Sequence, residues 1–219
     1  MSQKPNEYIP ALKFHWLTRI YDPLIKWGMQ ESKFKSHLIH QAHLMPGQRI
    51  LDLACGTGTL TLMIKQAQLE AEVIGLDADP EVLATAKKKA EQNQADISFQ
   101  KGMSFKLPFP DTYLNHVFSS LFFHHLTLEM KRKTLEELFR TLRPGGEIHI
   151  IDFEKPQNLW MRLAFLPVQF LDGFETTKDH VKGVFSDLFR EIGFKDIEQT
   201  GQFITVVGTL RSYHARKPE

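Results

Sequence analysis

"ILDLACGTGTL", Ile50 to Leu60, is the stretch on which the fold turns. An apolar run ends in a tight turn carrying Gly56 and Gly58, and "TLTLMIKQA" (59–67) continues with helical spacing. Strand, glycine turn and helix in that order bring backbone N–H groups to the end of a strand, a device that holds nucleotide-like ligands. Downstream the alternation continues: "AEVIGLD" (71–77) predicts a second strand, and Asp79-Pro80 an N-cap with proline at the first helical position, opening a helix over 80–93. "DISFQKG" (96–102) and "LNHVFSS" (114–120) predict the next strands, and 127–142 a helix with Leu128, Leu135, Leu138, Phe139 and Leu142 on one face, ended by "RPGG" (143–146). "EIHIIDF" (147–153) is a fifth strand. A helix over 181–192 ends at Gly193, and 195–201 with 204–216 predict a closing strand pair. Residues 10–44 read as helical, stopped by Pro46-Gly47. Such alternation builds a parallel sheet covered on both faces, with its ligand beyond the carboxyl ends of the strands.

Three ligand types compete for the glycine turn. A phosphate loop needs a lysine and a Ser/Thr after the second glycine, and "TLTLMI" follows Gly58 instead. A dinucleotide site fits better, since Asp77 follows Gly58 by 19 positions, but its third small residue falls on Thr61. Asp52 inside the strand end would repel a pyrophosphate, yet it can accept bonds from an ammonium group or an ordered water. S-adenosylmethionine (SAM) has no phosphate, and its ribose carries two free hydroxyls. Gly56 and Gly58 would let the backbone approach it, and Asp77 can accept hydrogen bonds from both hydroxyls.

"ILDLACGTG…GLDADP" resembles the first two motifs of the class I SAM-dependent methyltransferases. "GMSFKLPFPD" (102–111), "VFSSLFFHHL" (117–126), "LRPGGEIHIIDF" (142–153) and "LFREIGFKDIEQTG" (188–201) fall in the order of that family's later blocks. The resemblance covers roughly residues 45–215 and is to the type 11 branch, which includes the ubiquinone/menaquinone C-methyltransferases. It implies an α/β fold: a Rossmann-like sheet of seven strands, mostly parallel with an antiparallel last strand, and helices on both faces.

By the same resemblance the chain is one SAM-dependent methyltransferase domain over 1–219, with residues 1–44 as a helical cap and 155–180 as an insertion at the acceptor pocket. SAM would be the cofactor and S-adenosylhomocysteine (SAH) the product. Asp52, Ala54, Gly56, Gly58, Asp77, Ala78, Met103, Ser104, Ser119, Leu121 and Tyr21 are the expected cofactor contacts. Met103 stands where relatives commonly carry an aspartate that bonds the adenine amino group; it can pack on the purine, and Ser104 is the nearest polar substitute. Leu107 lines the adenine or is plain core, and Cys55 reads as an apolar filler. His124 and His125 are candidates to take a proton from a substrate hydroxyl, against an orienting role for each. Asp152 and Asp172 are the acids best placed to meet a substrate.

The expected reaction is in-line displacement at the sulfonium methyl, with a small, apolar acceptor attacking through C, O or N. Positioning and exclusion of water carry most of such a reaction, so the lack of a catalytic triad does not count against it. "SSLF" (119–122) replaces the "NPPY"-type motif that marks amino methylation of bases and glutamine. The rival readings are an NAD(P)-dependent oxidoreductase and a non-catalytic SAM-binding regulator.

Composition sets outer bounds. The 219 residues carry 27 basic and 26 acidic side chains, a formal net charge of +1, so no basic face calls for nucleic acid. One cysteine allows neither an internal disulfide nor a thiolate cluster, and no metal site is expected; His37 and His40 read as a solvated helix face. "MSQKPNEYIP" lacks a signal-peptide core, and "LWMRLAFLPVQFL" (159–171) is too short to span a bilayer, though Trp160, Met161, Phe165, Leu166, Phe170 and Phe174 leave room for an apolar substrate site or peripheral membrane contact. The expected setting is cytoplasmic.

Overall fold

The computed structural model describes residues 31–153, 184–205 and 208–219. Its elements run α1 Glu31–His40, β1 Arg49–Leu53, α2 Thr59–Ala67, β2 Glu72–Asp77, α3 Pro80–Gln92, β3 Ser98–Lys101 and β4 Leu114–Ser120. A short 3₁₀ turn Phe123–His125 follows, then α4 Leu128–Thr141, β5 Leu142–Phe153, α5 Val184–Ile192, β6 Lys195–Thr205 and β7 Gly208–Arg216. The seven strands lie in the order β3-β2-β1-β4-β5-β7-β6. β1 to β5 pair in parallel, and β7 is antiparallel to both β5 and β6.

Side chains alternate across the strands with period two. Leu51, Leu53, Val117, Ile148 and Ile150 pack with Leu135 and Leu138 of α4 and Phe185, Leu188 and Phe189 of α5. Ile50, Phe118 and Ile151 pack with Phe34 and Leu38 of α1 and Leu60 and Ile64 of α2 on the opposite face. Burial of each such side chain contributes roughly 1.5–3 kcal/mol, which holds the helices against the sheet. Helix starts follow the local chemistry: Asp79 accepts from the Glu81 N–H ahead of Pro80, and Thr127 accepts from the Met130 N–H.

Three boundaries differ from the sequence reading. "RPGG" ends α4 but also lies within β5, where pairing begins at Leu142↔Leu114 and resumes, after a register shift, at Glu147↔His116. β6 runs four residues further than expected, to Thr205, and β7 begins at Gly208. β6 also carries two register shifts, each bulge taking up an extra residue. α1 ends at His40, ahead of Pro46-Gly47. Residues 10–30 of the expected N-terminal helical region, and with them Tyr21, lie outside the described residues, as do the 155–180 insertion and Asp172.

Candidate functional site

β1, β2, β4 and β5 run parallel, so Asp52, Asp77, Ser119 and Asp152 all fall at or near the carboxyl edge of the sheet. The glycine turn begins there with three left-handed residues: Ala54 (φ 56°), Gly56 (φ 53°) and Gly58 (φ 72°). The two glycines are required for different reasons. A Cβ on Gly58 would lie 2.9 Å from Ala86 Cβ, so its bareness lets α3 dock on the turn. A Cβ on Gly56 would meet nothing within 4 Å among the described residues, so its bare face opens onto free space among them. The bare face of Gly56 thus has room for the close approach expected of a ligand, and the missing Cβ of Gly58 serves packing within the protein. Lys89 of α3 closes the outer side by donating to Thr57 Oγ1 at 3.3 Å and Thr59 Oγ1 at 2.9 Å.

Asp77 faces this turn. Its Oδ2 accepts the Gly56 N–H at 2.9 Å and its Oδ1 accepts the Asp79 N–H at 3.0 Å. Burial pushes its carboxyl above the ordinary range, against these two backbone bonds, which hold it down. An ionised carboxylate has about four acceptor positions, so two bonds leave capacity for a pair of hydroxyls. Ala78 beside it is half-buried.

Asp52 is 1% exposed and accepts a 2.6 Å bond from Thr61 Oγ1. Burial pushes its carboxyl up to about 6, and the Thr61 hydroxyl and the Lys35 charge act to lower it. Thr61, which breaks the dinucleotide pattern, is thus the donor that satisfies the buried acid. That pairing was missed in the sequence, although the nine-residue separation of strand end and first helical turn is the signal that places them together. Burial also pushes the Cys55 thiol far above its usual range, which suits an inert filler.

Beyond β3 the expected adenine contacts divide. Met103 is half-buried, and its carbonyl accepts the Lys106 N–H at 3.2 Å. Ser104 is buried with its hydroxyl 2.9 Å from Thr134 Oγ1 of α4, so that hydroxyl bonds within the protein. Leu107 sits in the apolar core. At the end of β4, Ser119 Oγ donates to the Leu53 carbonyl at 3.2 Å, tying β4 to β1. Leu121 follows with φ 57°, its N–H donating to the Ile151 carbonyl at 2.9 Å.

The 3₁₀ turn then brings His124 over the end of β5. His124 Nδ1 lies 2.6 Å from Asp152 Oδ1, and the His124 backbone N–H donates to Oδ2 at 3.0 Å. Asp152 also accepts the Phe153 N–H at 2.7 Å and is only 2% exposed. Asp152, expected as an acid that meets a substrate, thus lies buried against the His124 ring. His125 stacks at 3.9 Å, tilted 39°, on the His124 ring. A histidine with Nδ1–H held by a carboxylate presents Nε2 as its basic atom.

Residues 50–146 match the family model described as a methyltransferase domain. A demethylmenaquinone methyltransferase of Thermus thermophilus is 40% identical over 109 residues, 50% of this chain and 49% of that protein. A ubiquinone/menaquinone biosynthesis C-methyltransferase of Yersinia enterocolitica is 30% identical over 162 residues, 71% of this chain and 63% of the relative. The chain thus spans about half to two thirds of the length of these curated relatives. Among solved structures, a SAM-dependent methyltransferase from Aquifex aeolicus aligns with TM-score 0.66 at 18% identity, covering 96% of this chain and all of the other. Magnesium protoporphyrin IX methyltransferase from Synechocystis with bound SAH aligns with TM-score 0.67 at 20% identity, covering 85% of this chain and 81% of the other. These structural likenesses establish the fold.

Proposed function

We propose that this chain, which belongs to the SAM-dependent methyltransferases, moves the methyl group of SAM to a ring carbon of a small, apolar, quinol-class acceptor. The observation that carries the cofactor half is the Asp77–Gly56 pair: a carboxylate with spare acceptor capacity beside a glycine whose bare face meets open space. Those features suit a ribose diol and a close backbone approach, and Asp52 suits an ammonium group near the turn. When bound, SAM supplies an electrophilic methyl on a sulfonium. Met103 would contribute apolar packing for the adenine.

The names of the two curated relatives point to quinone-type acceptors and, for the second, to carbon. A phenolic ring carbon becomes a good nucleophile once its hydroxyl loses a proton. His124 Nε2 would accept that proton, with Asp152 as the positioning residue that holds the tautomer and stabilises the imidazolium. Methyl transfer leaves the attacked ring carbon with both the new methyl and its original hydrogen; the imidazolium returns its proton to the ring oxygen, and the freed Nε2 or water takes the ring proton, which restores the aromatic ring.

Thermal unfolding with SAH or NAD, followed by transfer of labelled methyl from SAM to naphthohydroquinones, tests this reading. Stabilisation by SAH and label on a ring carbon are expected. Stabilisation by NAD alone would overturn the cofactor assignment, and label only on oxygen or nitrogen would overturn the acceptor atom. Asp77→Ala is expected to weaken SAH binding by roughly tenfold or more, the loss of a charge-assisted pair of bonds.

A further inference from the structure

Far from the glycine turn, at the amino end of the parallel strands, three neighbouring strands bring imidazoles to one place. Cross-strand register sets His116 of β4 opposite Glu147 of β5, and His149 of β5 opposite His214 of β7. All four share the sheet face covered by α1, because Glu147 and His149 are two residues apart on one strand. His116 Nδ1 lies 3.3 Å from His149 Nε2 and 3.7 Å from Glu147 Oε2, and His149 Nε2 lies 3.5 Å from that same oxygen. His149 is fully buried and His116 nearly so, while Glu147 and His214 keep partial exposure and give the cluster a path to solvent.

We propose that His116 Nδ1, His149 Nε2 and Glu147 Oε2 form a binding site for a divalent transition metal, with zinc the best match. The spacing is the first argument. Bonds of about 2.0–2.1 Å at the tetrahedral angle set two donors about 3.3–3.4 Å apart, close to all three separations in this triangle. The same separations exceed the usual length of a good hydrogen bond, about 2.7–3.2 Å, so direct bonding among the three explains the convergence less well. Ligand chemistry is the second argument: two imidazoles and one carboxylate are a borderline donor set that leaves a fourth position for water.

The surroundings supply the outer support that such sites need. Arg216 donates to the other oxygen, Glu147 Oε1, at 2.7 Å, which orients the carboxylate with Oε2 toward the histidines. His214 Nε2 stands 3.5 Å from Oε2 on the solvent side. Gln41, just past α1, has its amide nitrogen 3.2 Å from His149 Nδ1, while its Oε1 is buried with no hydrogen-bond partner among the described residues. Turning that amide about its last side-chain bond gives Oε1 a partner in His149 Nδ1–H. That tautomer leaves His149 Nε2 with its lone pair facing Glu147 and His116, the arrangement of a ligating histidine held by an outer acceptor. Bound metal would clip β4 to β5 at the end of the sheet opposite the glycine turn.

The test uses the tag-free full chain, stripped with chelator, loaded with Zn²⁺, desalted and analysed for metal by mass spectrometry. Loading with Co²⁺ reports coordination through its visible spectrum. One retained equivalent with a tetrahedral Co²⁺ spectrum is expected, and the affinity should fall by at least roughly tenfold in His116→Gln, in Glu147→Gln and in the outer-support variant Gln41→Ala. Circular dichroism and unchanged SAH binding report that each variant is folded. Zinc retained equally by His116→Gln and Glu147→Gln, as through the surface histidines His40 and His43, would overturn the site, and so would no retention by the unaltered chain. SAH binding and metal retention are read separately, so neither outcome depends on the other proposal.

Discussion

Among the described residues, the carboxylate of Asp152 at the end of β5 meets His124 Nδ1 at 2.6 Å and accepts from the backbone N–H groups of His124 and Phe153. Two backbone donors give the carboxylate one orientation, and that orientation fixes the proton of His124 on Nδ1. His124→Gln is therefore expected to lower kcat with a quinol acceptor by roughly a hundredfold or more, with SAH affinity unchanged. Single-turnover methyl transfer alongside SAH titration separates the two. A loss confined to SAH binding would reassign His124 to cofactor support.

Asp152→Ala leaves two buried backbone N–H groups and the His124 ring without their acceptor. Each unsatisfied buried group costs roughly 1–3 kcal/mol, so urea unfolding should show a loss of at least about 2 kcal/mol. Asp152→Asn keeps an acceptor oxygen and is expected to be milder in stability while still lowering kcat.

The two glycines of the turn separate stability from binding. Gly58→Ala places a methyl 2.9 Å from Ala86 Cβ at a φ of 72°, and a stability loss of roughly 2–4 kcal/mol is expected from clash and backbone strain together. Gly56→Ala has only the backbone term, about 1–2 kcal/mol, because none of the described residues lies within 4 Å. Its added methyl projects where a ligand would approach, so SAH affinity should fall more than stability does. Calorimetric unfolding and SAH titration of both variants check the contrast.

Asp52 makes stability depend on pH in a calculable direction. Its folded pKa of about 6 lies above the ordinary 3.8, so its contribution is most favourable below pH 4 and is lost as pH rises through 6. That shift corresponds to about 3 kcal/mol between the two ends of the window. Asp52→Asn removes it, so the difference in unfolding free energy between variant and unaltered chain should move in the variant's favour from pH 4 to pH 8. A difference independent of pH would refute the raised value.

Thr61→Val removes the hydroxyl that bonds Asp52 while keeping its shape. Since that bond favours the ionised carboxylate, the variant should lose roughly 1–3 kcal/mol at pH 8 and clearly less at pH 5, where the carboxyl is largely protonated. Urea midpoints at the two pH values decide it.

Much of the architecture was readable because its signals are local. Alternation of apolar runs and helical faces, the Asp79-Pro80 start and the glycine turn each depend on φ, on side-chain period or on a cap within a few residues. The acids at the strand ends were readable as positions, and their partners were less so. Asp152 looked like a substrate contact because a sequence shows an acid at a strand end without showing that the 3₁₀ turn folds His124 back over it. Ser104 looked available until α4 supplied Thr134.

From the sequence alone came the strand–turn–helix unit and the parallel α/β class, since backbone conformation at Gly56 and Gly58 and side-chain period are constraints on neighbouring residues; the cofactor came with the resemblance of the later blocks to a known family. Tertiary structure alone decided which side chains meet across strands. The register that aligns His116 with Glu147 and His149 with His214 joins residues far apart in the chain, and it follows from the summed hydrogen bonding and burial of whole strands rather than from any short motif.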